Sequence, residues 1–244
     1  MSRPWSVLRA VVDALLDLAL PQVCAGCALA GHWLCPRCAG ALLGAGHEVR
    51  PTPAPAGLPP VFAVAAYDSV VRALVVAHKE RARLELAVPL GRALAEAVRA
   101  AASSERAAAA WERVAPGRVL LVPVPSRPAT VRARGHDPLQ RMARVAGTAA
   151  GGLTVARVLV QRRRVVDQSG LSADLRHANL AGALEVRARR RAEVCGRSVI
   201  LLDDVITTGS TLAEAARAVR SAGGSVVAAA VVAATPRRAA GRVV

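Results

Sequence analysis

Two short stretches of this 244-residue sequence collect the side chains best able to do chemistry. The first is Cys24-x2-Cys27, then seven residues, then Cys35-x2-Cys38. Each pair forms a tight turn that offers two thiolates. Four thiolates suit a tetrahedral zinc ion, whose binding would supply folding energy that so short a segment lacks. Gly26 permits the first knuckle and Pro36 stiffens the second, while His32 is a spare donor. Two disulfides or an iron–sulfur or redox role could use the same spacing, but a chain this long needs no staples, and paired CxxC turns favour a metal in a reducing compartment. With no open coordination position, such a zinc would be structural.

The second stretch runs Val199-Ile-Leu-Leu-Asp203-Asp204-Val-Ile-Thr207-Thr208-Gly209-Ser210-Thr211-Leu212. Four apolar residues read as a strand buried on both faces. Two carboxylates follow at its C-terminal end, where open α/β sheets bind ligands. The small residues after them let backbone N–H groups converge on an anion, with hydroxyls as further donors. Thr211-x-x-Glu214 has capping-box spacing, so a helix should start here and aim its positive end at the same anion. Carboxylates beside a phosphate nest imply sugar hydroxyls or a divalent cation. Neither GxxxxGK[ST] nor GxGxxG occurs in the chain, which excludes the common nucleotide loops.

Alternating elements must position these stretches. Residues 1–45 hold an amphipathic helix (Leu8, Val11, Val12, Leu15, Leu16 and Ala19) and the cysteines. Residues 46–60, with five prolines between Pro51 and Pro60, read as a linker. Residues 61–244 then read as one α/β domain. Strands are expected at Val61–Ala66, Val119–Val122, Val199–Leu202 and Val226–Ala233, with a weaker one at Val155–Val160. Helices are expected at Val70–Val76, Leu84–Ala102, Leu139–Ala149 and about Leu212–Ser221. This order implies right-handed crossovers and a mostly parallel sheet flanked by helices.

Composition narrows the partners. An apolar fraction of 53% excludes a disordered chain, and only 2% aromatics makes the core aliphatic. Thirty-three basic residues against 17 acidic give a net charge of +16, which predicts anionic partners. The excess gathers in residues 127–144 (five Arg, one acid) and 161–197 (nine Arg, four acids). Lys79 is the only lysine. Asp13 and Asp17 interrupt the early apolar run, so no membrane insertion and a cytoplasmic location are expected. Cys195 reads as a buried apolar filler.

The Val199–Leu212 stretch resembles the phosphoribosyl pyrophosphate (PRPP) signature of type I phosphoribosyltransferases. Further motifs are the four cysteines, Tyr67 through Lys79, Pro123-Val-Pro125 with Arg132-Ala-Arg134-Gly135, and Gln168-Ser-Gly-Leu171 with Arg176, Asn179 and Gly182. Together they resemble the ComF/GntX family of competence-associated phosphoribosyltransferase-like proteins, from about Leu15 to Ala234. Two departures stand out: His136-Asp137-Pro138 replaces a common Phe-Asn-Gln, and Glu80 follows Lys79 where an aromatic is usual.

The resemblance implies a type I phosphoribosyltransferase fold. Asp203 and Asp204 would be the catalytic acids on the ribose hydroxyls, and Thr207, Thr208, Gly209, Ser210 and Thr211 would hold the 5′-phosphate. Ser126, Arg127 and Lys79 are candidate pyrophosphate contacts. Arg132, Arg134, Gln168, Arg176 and Asn179 are candidates for a loop over the site. Two functions fit. An enzyme would bind PRPP with Mg²⁺, held by PRPP's own oxygens and by Asp203 and Asp204 directly or through water, and transfer the phosphoribosyl group to a nitrogen nucleophile, mainly by positioning and charge neutralisation. A binding module would use the fold to hold single-stranded DNA beside competence or recombination proteins, through phosphate contacts because aromatics are scarce.

Overall fold

The computed structural model describes residues 22–104, 119–162 and 182–236. The stretch Leu8–Ala19 and the residues Gln168, Arg176 and Asn179 lie outside them. In chain order the described elements are α1 (Pro36–Gly40), β1 (His47–Val49), β2 (Val61–Ala66), α2 (Ser69–Glu80), α3 (Ala87–Ala102), β3 (Val119–Pro123), α4 (Pro128–Arg134), α5 (Pro138–Ala149), β4 (Thr154–Val155), β5 (Leu159–Gln161), β6 (Leu184–Val186), α6 (Arg191–Val194), β7 (Ser198–Ile206), α7 (Ser210–Ser221) and β8 (Ser225–Ala234).

Six strands form one sheet in the order β1-β2-β8-β7-β3-β4. Only β1 is antiparallel to its neighbour. The mostly parallel α/β architecture expected from the alternating elements is therefore present. From β3 to β4 the chain moves one way along the sheet, and from β7 to β8 it moves the other. Right-handed crossovers then place α5 and α7 on opposite faces. Helices α3 and α5 pack on each other, α3 over β1, β2 and β8, and α5 over β3, β4 and β7. Helix α7 lies against β7, β8 and a separate antiparallel ribbon of β5 and β6.

Strands covered on both faces need continuous apolar runs. Val199–Leu202 and Ala228–Ala233 are indeed fully buried. The run Val155–Val160 is not one strand. Ala156 still donates to Leu121 O on β3, whereas Val158 O accepts from Arg187 beyond β6, so the chain changes sheets at Arg157. Cys195 is exposed rather than buried, because it sits in the turn after α6 and not in β7.

Two packing details have measurable consequences. A Cβ at Gly91 on α3 would lie 2.6 Å from Val145 Cβ and 2.8 Å from Met142 O on α5. Alanine gains up to about 1 kcal/mol of helix propensity there, but overpacking costs roughly 1–3 kcal/mol and wins. Gly91→Ala is expected to lower Tm by roughly 3–8 °C in a thermal melt.

His78, near the end of α2, is fully buried, with Nδ1 3.1 Å from Arg83 O and Nε2 3.3 Å from Pro138 O. Burial lowers its pKa; the two carbonyls oppose this, and His136 and Arg141 add to it. The folded protein therefore holds His78 neutral, while the unfolded chain protonates it near about pH 6.5. This contribution to stability is complete above that pH and is lost as pH falls below it. Tm measured from pH 7.5 to 5.5 should fall less steeply for His78→Gln than for the natural sequence.

Candidate functional site

Adjacent strands whose connections leave in opposite directions open a crevice at their C-terminal ends. In this sheet β3 and β7 are that pair, in register from Val119 opposite Ser198 to Pro123 opposite Leu202. Both loops singled out from the sequence emerge there: Pro125–Arg127 after β3, and Thr207–Gly209 after β7.

Strand β7 continues through the acid pair to Ile206, so strand alternation sends the two carboxylates to opposite faces. Asp203 lines a cleft of ≈ 280 Å³ together with Thr207, Thr208, Gly209 and Thr211. Its Oδ1 accepts the Asp204 N–H at 2.9 Å. Burial first, then the Asp204 charge, push the Asp203 carboxyl up to about 8, with Lys79 pulling the other way. Asp204 is buried; its Oδ1 accepts the Val205 N–H at 2.8 Å and its Oδ2 meets the ammonium of Lys79. Burial alone would lower the Lys79 pKa, but Asp204 and then Asp203 outweigh it and raise it.

Helix α7 starts at Ser210, two residues before the capping-box spacing suggests. Gly209 is the N-cap, at φ 78°, a left-handed conformation that glycine adopts without a side-chain clash. A side chain there would also meet Leu58 at 3.1 Å and Pro51 at 3.3 Å, both from the proline-rich stretch. Thr208 and Ser210 hydroxyls bond to each other at 3.1 Å, and Ser210 is buried beneath the loop. Glu214 does not reach back to cap the helix. Its Oε1 accepts the Leu184 N–H at 3.0 Å on β6, and Arg217 donates to Leu184 O at 2.8 Å while pairing with Glu214. Burial would raise the Glu214 pKa; Arg217 and Leu184 reverse this and lower it.

A second cleft, ≈ 390 Å³, lies on the β3 side and is lined by Ser126, Arg132, Asp137, Gln140, Arg157 and Arg187, among others. Ser126 and Arg132 thus sit in it as expected. Arg127 is the N-cap residue of α4 and does not line it. Arg134 pairs with Glu80, and Lys79 with Asp204, and neither lines this cleft. Arg157 and Arg187 escaped the sequence reading; the visible signal was a lone arginine inside the apolar run Val155–Val160. The Asp137 departure has a local role: it caps α5 through the Gln140 N–H at 3.2 Å, accepts from Ser126 Oγ at 3.3 Å and lies 3.6 Å from Arg157, with Pro138 starting the helix. A third and wider cleft, ≈ 930 Å³, lies on the β8 side between His47–Thr52 and Thr235, and meets the first at Ile206 and Thr207.

The four cysteine sulfurs lie within 4.8 Å of one another, all four as free thiols. Cys27 Sγ and Cys35 Sγ are 3.7 Å apart, close to the roughly 3.8 Å edge of a tetrahedron with 2.3 Å metal–sulfur bonds. Burial raises the Cys24 pKa, but N–H donors from Cys35, Cys27 and Gly26 outweigh it and bring the thiol down to about 6. Burial and the neighbouring thiols hold Cys38 above its ordinary range. A side chain at Gly26 would strike Cys38 Sγ at 2.7 Å, so the first knuckle folds directly over the second. The donor set fits a closed four-coordinate metal centre.

No described helix is long and apolar enough to cross a membrane. The phosphoribosyl transferase domain family matches residues 130–242. Among solved structures, the allosteric regulatory enzyme of purine biosynthesis aligns with a TM-score of 0.34 and 18% identity, over 60% of this chain and 26% of that one. DNA utilization protein YhgH of Salmonella typhi is 33% identical over 210 residues, 84% of this chain and 85% of that protein. The protein of the same name from Salmonella typhimurium strain LT2 is 32% identical over the same shares. With relatives at least 32% identical over 84% of its length, the chain belongs to the ComF/GntX family of phosphoribosyltransferase-like proteins.

Proposed function

We propose that this protein binds the phosphoribosyl group of PRPP, or of another ribose phosphate, and transfers it to a nitrogen acceptor in the cytoplasm. One observation carries the reading: Asp203, Thr207, Thr208, Gly209 and Thr211 at the start of α7 line a single cleft at the C-terminal end of β7, the strand that pairs with β3. The 5′-phosphate sits on the loop and the N-terminus of α7, where backbone donors and the helix dipole favour an anion. Asp203 accepts from a ribose hydroxyl. The diphosphate extends to the β3 side, toward Ser126, Arg132, Arg157 and Arg187, whose guanidinium forks match phosphate oxygens. PRPP arrives with Mg²⁺ on its own diphosphate oxygens. The wide cleft between His47–Thr52 and Thr235 faces the ribose from the opposite side, the direction from which an in-line nucleophile must attack C1′. No side chain needs to act as a nucleophile; fixed positive charge and alignment supply the catalysis.

The arginines of the β3-side cleft also favour a second reading, in which a single strand of DNA occupies that cleft through its phosphates. The relatives' printed name, a DNA utilization protein, supports it. Calorimetry of PRPP with Mg²⁺, beside salt-dependent binding of a fluorescent single strand, separates the two. Asp203→Ala is expected to abolish the PRPP heat and to leave DNA binding unchanged. Absence of heat for the natural sequence at millimolar PRPP would sink the enzyme reading.

The metal of the cysteine centre we infer to be zinc, in a structural role. Metal analysis of the purified protein should find about one zinc per chain. Cys38→Ser should lose most of it and lower Tm, whereas a fully folded, metal-free natural protein would contradict the assignment.

A further inference from the structure

The Asp204 carboxylate is already paired with a cation. Its side chain is 6% exposed, Oδ1 takes the Val205 N–H, and Oδ2 takes Lys79. Mg²⁺ needs oxygen ligands at about 2.1 Å in near-octahedral array. At this acid pair it would find one carboxyl group, Asp203, with an ammonium beside it. The residues present therefore do not fit a protein-bound Mg²⁺ at Asp203 and Asp204.

The position of Lys79 is built from both sides. It follows His78, whose ring is held between the carbonyls of Arg83 and Pro138. The guanidinium of Arg83 reaches Val23 O at 3.5 Å and Trp33 O at 3.4 Å in the cysteine segment. Val70 packs against the buried cysteines, and Leu74 lies beside the first knuckle. Helix α2 is thus pinned along its length, and its last turn delivers an ammonium to the strand end. Among 33 basic residues Lys79 is the only lysine, and a compact ammonium is the cationic side chain that most resembles a small metal ion in size.

We infer that Lys79 takes the place of a divalent cation at the acid pair, neutralising Asp204 and leaving Asp203 as the one carboxyl group offered to the ribose, so that ribose 5-phosphate is bound without Mg²⁺. This rests on the phosphate-loop reading above. Without Lys79, the buried Asp204 carboxylate would stand uncompensated directly beside Asp203 at the end of β7, and an unpaired negative charge in a partly buried site repels an incoming phosphate dianion. Lys79 is in this sense a positioning residue for charge; it touches Asp204 and not the reacting atoms.

Ribose 5-phosphate is the probe that tests this, because it has the phosphate and the hydroxyls but lacks the diphosphate that brings its own cation. Calorimetric titrations in EDTA and in millimolar Mg²⁺ would compare the natural sequence, Lys79→Met, and the double variant Lys79→Met/Asp204→Asn, each checked by thermal melting. The natural sequence should bind equally well in both buffers. Lys79→Met should bind about tenfold or more weakly in EDTA and recover in Mg²⁺, since a cation can then reach Asp204. The double variant, which removes the charge with its partner, should bind in EDTA several-fold more tightly than Lys79→Met alone. Recovery by Mg²⁺ or by removing a carboxylate is something a merely structural lysine would not give. Binding by the natural sequence only in Mg²⁺ overturns the inference alone, as does a Lys79→Met loss that neither Mg²⁺ nor Asp204→Asn restores. No binding in either buffer overturns the phosphate-loop reading together with it. Should Lys79→Met not fold, the double variant and the Mg²⁺ comparison of the natural sequence still decide.

Discussion

The whole carboxyl edge of the sheet depends on β3 and β7 lying side by side while their chains depart in opposite directions. Parallel pairing brings Val124 N within hydrogen-bond distance of Leu202 O, so the loops after the two strands start level with each other. Because the following helices lie on opposite faces, neither covers the gap. A crevice there is a geometric necessity of the strand order, and the loop residues decide what it holds. Hydroxyls and a left-handed glycine fill the β7 side; arginines fill the β3 side.

The same constraint explains why the core is built from small aliphatic residues. Strand β8 lies between β2 and β7 with helices over it, and its run of valine and alanine leaves no bulky group to hold α3 away. Helices α3 and α5 meet at Gly91, where even a methyl group has no space. A core with so few aromatics reaches its density by bringing backbones close together.

Much of this was legible in the sequence, and the exceptions have physical causes. Apolar runs such as Val199–Leu202 located the parallel strands, and paired cysteine spacing located the four-thiol cluster, because both depend on local pattern alone. Strand β1 was not foreseen: three residues, His47–Val49, with little burial, carry no periodic signal. Nor was the division between Asp203 and Asp204. Adjacent carboxylates look equivalent in a sequence; they separate only because a strand turns successive side chains to opposite faces, and because α2, more than 120 residues earlier, carries a lysine in its last turn beside one of them. Arg157 and Arg187 join one cleft through a change of sheet that no run of apolar residues announces.

The contact between Glu214, Arg217 and Leu184 has a consequence of its own. A two-stranded ribbon offers unpaired N–H and C=O groups along its outer side, an open template for another chain. Here the carboxylate accepts from the Leu184 N–H and the guanidinium donates to the Leu184 carbonyl, so a pair of side chains fills the place of a neighbouring strand. The edge of β6 at that point is closed to recruitment of foreign backbone, and the ribbon stays two strands wide while remaining fastened to the helix that begins after the Thr207–Gly209 loop.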